Sequence, residues 1–327
     1  MIRFILAVLW IVFFFITGIP LILVELIIGK INKRARDFSS LRIVQFIFKG
    51  VLFISGTKTT VIGMEKIPKG EAVLFVGNHR SIFDVVVAYS RMPNLTGFIG
   101  KKELIKVPFL NIWMKFVNCL FLDRHNIREG MKTMLTGMDM VRDGISMTIF
   151  PEGTRSETDE MLPFKEGSLK IAEKTGCKII PMVQNNTETC FEKQAPRVRK
   201  AHTVLEFCDP IEVDKLTKEE KKFLGAHIRK IIQEKYEENI KLVYNYNLLI
   251  TNARITTCTT NIKGINITKY QFFVLCLKNR IPILEPREPN KSAVVKRAAS
   301  LMRHSLFWAL FLSIPISAKA IMLIITR

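Results

Sequence analysis

The spacing of apolar and polar positions changes character along the chain. Over positions 4–24 the run FILAVLWIVFFFITGIPLILV holds no charged residue, about the length that crosses a bilayer's hydrocarbon core as one helix. Interrupted only by Glu25, it continues to Gly29 and then meets KINKRAR. A secretory leader has a shorter apolar core ending at a small-residue cleavage site, so the pattern predicts a membrane anchor in which Pro20 is a point of bending. A second apolar segment, LRIVQFIFKGVLFISG at 41–56, carries Arg42 and Lys49 and is short for a span. It predicts a helix lying at the membrane interface, with a buried core helix as the competing reading.

From position 57 short β-rich runs alternate with helical ones. TTVIG (59–63), AVLFVGN (72–78), LTGFIGK (95–101), VNCLFLDR (117–124), ISMTIF (145–150), CKIIPMVQ (177–184) and HTVLEFCDP (202–210) read as strands. Helical patterns fall at 84–92, at 126–144 closed by Gly144, at 164–176 closed by Gly176, and at 217–241 opened by a capping Thr217. Strands alternating with helices predict an α/β fold, a mixed and largely parallel sheet flanked by helices, behind N-terminal membrane helices. The organisation expected is a membrane anchor and interfacial helix over 1–56, a catalytic domain over 57–243 and a basic extension over 244–327. That extension shows no regular helix or strand pattern. Near its end it carries an apolar stretch broken by Pro315 and Lys319, a poor span but a second point of membrane contact.

Charge narrows the partners. The 327 residues carry a formal net charge of +20, which calls for nucleic acid, an anionic membrane or a phosphorylated substrate. No nucleic-acid-binding module is recognisable, and the anchor ties the chain to a membrane, so nucleic acid is not expected as a partner. The cluster Lys30, Lys33, Arg34 and Arg36 favours the cytoplasmic side of the cell membrane for everything that follows it. Six scattered cysteines without a C-x-x-C pair argue against a disulfide framework or zinc module.

The chemistry gathers at predicted strand ends. In NHRSIFD (78–84) His79 and Asp84 are five apart, the wrong spacing for one helix face. Ser81 and Asp84 fit a capping box, however, which places His79 in the loop before the helix and lets it fold back over the first turn. An ordinary loop histidine beside a capping acid reads these residues equally well. A second apolar strand runs straight into PEGTRS (151–156), where Gly153 frees the backbone for close approach and Arg155 offers a fork suited to phosphate. A third ends in LFLDR at Arg124. Open α/β sheets place ligands at such strand ends.

These motifs in this order and spacing resemble the PlsC family of 1-acylglycerol-3-phosphate acyltransferases, within the wider glycerolipid acyltransferase superfamily. The resemblance rests on NHRSIFD (78–84), GKKELIKVPFLNIW (100–113), LFLDR (120–124), FPEGTRS (150–156) with FKEGS (164–168), and IIPMV (179–183). It implies that His79 is a general base and Asp84 its orienting partner. It also implies that Arg124, Glu152, Gly153, Thr154, Arg155 and Lys101 bind the acyl acceptor and its phosphate. Pro181 falls in a motif tied to donor binding or strand packing. Asn111 and Asn118 stand where the family often has Gly. No cofactor is implied. The co-substrate is acyl-CoA or acyl-acyl carrier protein, the acceptor a membrane lipid such as lysophosphatidic acid, and the surface an anionic membrane.

The resemblance also makes sense of a dyad without a serine. Neutral His79 takes the proton of the acceptor's own hydroxyl, and Asp84 fixes the imidazole tautomer. Ser81 is the rival nucleophile, but its capping role occupies it. A metal-dependent hydrolase using His79, Asp84 and Glu152 fits less well, since metal sites gather more ligands at tighter spacing. A non-catalytic lipid-binding protein is the rival of another class.

Overall fold

The structure, a computed structural model, describes residues 1–261 apart from position 159, with the backbone alone over 245–261. The expectations for the basic extension beyond 261, its apolar end included, lie outside the described residues. The chain divides at Ile250 into two compact units, and the account below concerns Met1–Ile250.

Two long helices come first, α1 (Ile2–Ile31) and α2 (Lys33–Ser55), joined at Asn32, whose side chain accepts from the Ala35 amide and caps α2. They fold back on each other. Trp10 Nε1 donates to the Ile47 carbonyl (3.0 Å), and further along the pair Ser39 Oγ donates to Glu25 Oε1 (2.6 Å). The expected interfacial segment thus begins at Lys33 rather than 41, and the basic cluster sits at the hairpin's turn. Gly50 permits the close approach, since a Cβ there would lie 2.5 Å from the Trp10 ring. Both helices are long and apolar enough to cross a membrane, and α1 leaves Leu9, Ile16 and Leu23 exposed. Two such helices at this terminus point to membrane association.

The competing core-helix reading of 41–56 captures α2 in part. Its Gln45 donates to the carbonyls of Tyr89 (3.2 Å) and Met92 (2.8 Å), and Leu41, Val44, Val51 and Leu52 are buried. Helix α1 also touches the body that follows: Phe4 stacks on Phe191, and Phe14 packs against Trp113.

That body is built from β1 (Lys58–Ile62), β2 (Leu74–Gly77), α3 (Ile82–Tyr89), β3 (Thr96–Lys101), α4 (Leu110–Phe116), β4 (Leu120–Leu122) and α5 (Ile127–Arg142). It continues with β5 (Ser146–Ile149), α6 (Lys170–Thr175), β6 (Ile179–Asn185), β7 (His202–Phe207), α7 (Lys218–Lys222) and α8 (Leu224–Asn261). The seven strands form one sheet in the order β1-β7-β6-β2-β5-β3-β4. The strands from β6 to β4 run parallel; β7 is antiparallel to β6, and β1 runs parallel to β7. This is the mixed, largely parallel sheet that the sequence predicts.

Central β2 is buried at all four positions, as expected for a strand covered on both faces. Its alternation sends Phe75 to the side covered by α2, α3 and α4, and Leu74 and Val76 to the side covered by α5, α6 and α8. Because β2, β5, β3 and β4 are parallel, their C-terminal ends share one sheet edge.

Two expected helices are broken. The segment 164–176 is a 3₁₀ turn, Glu166–Leu169, followed by α6. The helix expected over 217–241 opens with the Thr217–Glu220 capping box but breaks at Phe223. There the Glu166 carboxylate accepts the Gly225 amide with both oxygens (3.0 and 2.8 Å), satisfying the first turn of α8. Helix α8 then continues to Asn261, so residues 244–261, expected to lack regular structure, are helical. The segment is rich in Asn and Thr, which favour helix weakly, but it lacks the Pro that would break one.

Candidate active site

His79 follows β2 and precedes α3, in the loop where the capping box puts it. Ser81 is the N-cap of α3, its Oγ accepting from the Phe83 amide (2.9 Å), and Asp84 is the third helical residue. Asp84 is fully buried. Its Oδ2 accepts from the amides of Arg80 and Ser81 (2.7 Å each) and from His79 Nδ1 (2.9 Å), while Oδ1 accepts from Thr187 Oγ1. Capping and orienting therefore coexist in one carboxylate. A carboxylate so placed can only accept, so Nδ1 carries the proton and the neutral ring presents its lone pair at Nε2. Nε2 makes no hydrogen bond among the described residues. The imidazole plane stacks on Phe150, with centroids 4.4 Å apart and planes 15° apart.

The 150–156 segment holds this histidine from behind. Glu152 Oε1 accepts the His79 amide (2.6 Å), Oε2 accepts the Leu162 amide (2.9 Å), and the His79 carbonyl accepts from the Ser156 amide (2.9 Å). Glu152 is buried, and loss of water pushes its pKa up, with the two amides pulling it back. Each of its oxygens is already engaged by the backbone. Asn78 braces the other side, exchanging two hydrogen bonds of 2.9 Å with the Gln184 backbone on β6. Gly153 has φ +75°, and a Cβ there would come within 2.8 Å of Lys165 Nζ; glycine is required by the turn.

Arg155 is half-exposed, and its Nη1 contacts Glu192 Oε1 (3.1 Å). Glu192, which the sequence did not single out, also accepts from Ser81 Oγ (2.6 Å) and the Ile82 amide (2.7 Å). Ser81 Oγ is thus engaged as donor and as acceptor, and is not available to His79 as a nucleophile. The sequence offers no signal for Glu192, since it lies 111 positions from Ser81 in a loop without a motif.

Thr154 is exposed beside Arg155 and makes no polar side-chain contact among the described residues. Lys101, at the end of β3, pairs with Glu103 (3.3 Å). Arg124, just beyond β4, is exposed and has no ion pair among the described residues. Both lie on the same sheet edge as His79. Since β4 is three strands from β2, Arg124 stands about 14 Å away at ~4.8 Å per strand. The structure brings His79, Asp84, Glu152, Gly153 and Arg155 together, and leaves Lys101 and Arg124 at the rim.

A half-buried histidine on a buried aspartate, with an open Nε2 and no serine available to it, resembles a hydrolase triad without its nucleophile. The acyltransferase family profile matches residues 58–185. A 1-acyl-sn-glycerol-3-phosphate acyltransferase of Borreliella burgdorferi is 33% identical over 186 residues, which are 57% of this chain and 74% of that protein. The chain belongs to the 1-acyl-sn-glycerol-3-phosphate acyltransferase family. A second relative of the same description, from Cocos nucifera, is 32% identical over 165 residues, 50% of this chain and 53% of its own length. The lysophosphatidic acid acyltransferase PlsC of Thermotoga maritima has the same fold, with a TM-score of 0.60 at 24% identity over 72% of this chain and 96% of that one.

Proposed function

We propose that this acyltransferase moves a fatty acyl chain from acyl-CoA or acyl-acyl carrier protein to the sn-2 hydroxyl of 1-acyl-sn-glycerol-3-phosphate, giving phosphatidic acid for phospholipid synthesis. The observation that carries this reading is the His79 Nδ1–Asp84 Oδ2 contact of 2.9 Å with Nε2 left open. In the step proposed, the acceptor's oxygen attacks the thioester carbonyl and its proton passes to His79 Nε2. The C–S bond then breaks, and the departing thiolate takes up the proton held at Nε2, returning His79 to its neutral form. Asp84 balances the imidazolium while it exists. A thiolate is a good leaving group, so a separate strong acid is unnecessary, and no acyl-enzyme forms.

Arg155 is proposed to hold the acceptor phosphate as a bidentate partner, exchanging Glu192 for it; Thr154 and Gly153 shape that turn. Glu152 is proposed to act on the dyad through the His79 backbone rather than on substrate. Lys101 and Arg124 suit the outer part of an anionic headgroup. The α1–α2 hairpin is proposed as the anchor and 57–243 as the catalytic body, on the cytoplasmic side of the cell membrane. Contacts of α1 with that body from Phe4 to Phe14 favour a hairpin embedded beside it in one leaflet, because a span at right angles would drag the body into hydrocarbon.

The test is an acyl-transfer assay with membranes containing the protein, crossing lysophosphatidic acid, other lyso-lipids and glycerol phosphate with both donors. Lysophosphatidic acid is expected to be the preferred acceptor. A preference for a neutral lyso-lipid would refute the phosphate assignment, and lipid binding with no transfer to any acceptor would favour a non-catalytic protein.

A further inference from the structure

Helix α5 presents one apolar face that is covered at one end only. At 100° per residue, Ile127, Met131, Met134, Met138 and Val141 lie within about an 80° arc. Met138 and Val141 are buried against the sheet and α6, with Met134 packed on the same cluster. Ile127 and Met131, two turns earlier on that face, are 85% and 59% exposed. The cause is local. The adjacent strand β4 has only three residues and is the sheet's edge; the first turns of α5 rest on it, with Thr133 Oγ1 donating to the Phe121 carbonyl (3.1 Å) and Gly130 over the Asp123 carbonyl, and no further strand among the described residues covers Ile127 and Met131. These turns are at the active-site end, because α5 starts just after the strand end that carries Arg124.

The neighbouring loop has the same character. Lys102 Nζ contacts Asp123 Oδ2 at 2.7 Å, tying the 102–109 loop to the turn that precedes α5. In that loop Ile105, Val107 and Phe109 are 39%, 39% and 40% exposed. Among these side chains stand Lys106, Arg124 and Arg128, exposed and without an ion pair among the described residues. The loop runs directly into α4. There Trp113 packs against Phe14 of α1, and its indole nitrogen lies 3.1 Å from where a Gly18 Cβ would be. The patch is therefore continuous with the flank of the hairpin.

We propose that the exposed apolar side chains of the first turns of α5 and the 102–109 loop form a second membrane-contact surface, one that seats in the headgroup region of an anionic bilayer. Apolar side chains interleaved with unpaired cations are what such an interface rewards: the former enter the acyl boundary and the latter meet lipid phosphates. With the hairpin on one flank and this patch on the other, the strand-end edge bearing His79 faces the lipid surface. A two-tailed acceptor then reaches the dyad without leaving the bilayer. The proposal rests on the membrane association read from α1 and α2, and its readout does not depend on which lipid is acylated.

The experiment is site-specific photo-crosslinking of the full chain reconstituted in vesicles. A benzophenone amino acid replaces Ile127, Met131, Asp139 outside the apolar arc of α5, or Leu9 on α1, and adducts are read by mass spectrometry. In vesicles of phosphatidylglycerol and phosphatidylcholine, positions 127 and 131 are expected to give lipid adducts many-fold above position 139. Yields are expected to fall in pure phosphatidylcholine. Absence of adducts at 127 and 131 overturns the proposal; the Leu9 control then shows whether the hairpin's membrane contact falls with it. Equal yields in the two lipid mixtures overturn the anionic preference. Cross-links to added acyl carrier protein in place of lipid assign the patch to a protein partner, and overturn the proposal as well.

Discussion

Replacing Asp84 by asparagine isolates charge from geometry. Three donors converge on Oδ2: the Arg80 amide, the Ser81 amide and His79 Nδ1. Oδ1 faces one hydroxyl, that of Thr187, which can rotate to accept. The introduced carboxamide therefore sets its carbonyl at the Oδ2 position and its NH₂ toward Thr187, so the imidazole keeps its tautomer. What is lost is the negative charge opposite the imidazolium formed during proton transfer. Unit charges about 4 Å apart at an effective dielectric near 20 interact by about 4 kcal/mol. At about 1.4 kcal/mol per decade of rate, Asp84→Asn is expected to lower kcat by about 10³-fold with acceptor KM little changed. Stability should fall by only about 1–3 kcal/mol, as charge-assisted bonds become neutral ones. Asp84→Ala is the contrast, since it strands two buried amides and a hydroxyl at about 1–3 kcal/mol each and is expected to unfold the site. The assay is steady-state acyl transfer on lipid vesicles, paired with thermal denaturation. Turnover within about tenfold of the parent in a folded Asp84→Asn protein would refute the role given to the carboxylate.

Three further outcomes are expected. Arg155→Ala should raise acceptor KM by about tenfold or more, the scale of a charge-assisted pair, and leave donor KM unchanged; a loss confined to the donor contradicts the phosphate assignment. Glu152 has a pKa raised by burial, so the folded state holds that proton more tightly than the unfolded one. Its contribution to stability therefore declines as pH rises from the ordinary Glu range through the raised value. The stability deficit of Glu152→Gln, read by denaturation at several pH values, should accordingly shrink across that window; a deficit that grows would reverse the sign. Gly50→Ala puts a Cβ 2.5 Å from the Trp10 ring, and is expected to cost about 1–3 kcal/mol and to loosen the hairpin, read as faster proteolysis within 1–56.

The sequence made the sheet's strands legible because each is a short apolar run between turn residues, and β2 and β5 end in recognisable polar motifs. The Ser81–Asp84 spacing located the start of α3 and, through it, the loop position of His79. Other features depend on partners distant in sequence. Nothing local announces that α2 starts at Lys33 and folds back on α1, because that pairing rests on Trp10, Glu25 and Gly50 meeting across the turn. The break at Phe223 depends on Glu166, 59 positions from the Gly225 amide it accepts. Glu192 was invisible for the same reason. The placement of Glu152 was also not legible: a conspicuous acid at a strand end looks aimed at a ligand, whereas its oxygens meet the amides of His79 and Leu162.

The central claim is that His79 activates the acceptor's own hydroxyl. It is tested most directly by acyl transfer to lysophosphatidic acid in vesicles carrying His79→Ala protein, with folding and membrane association checked on the same preparation. The account predicts that transfer is abolished while the protein stays folded and membrane-bound. Near-normal turnover by that variant would contradict it.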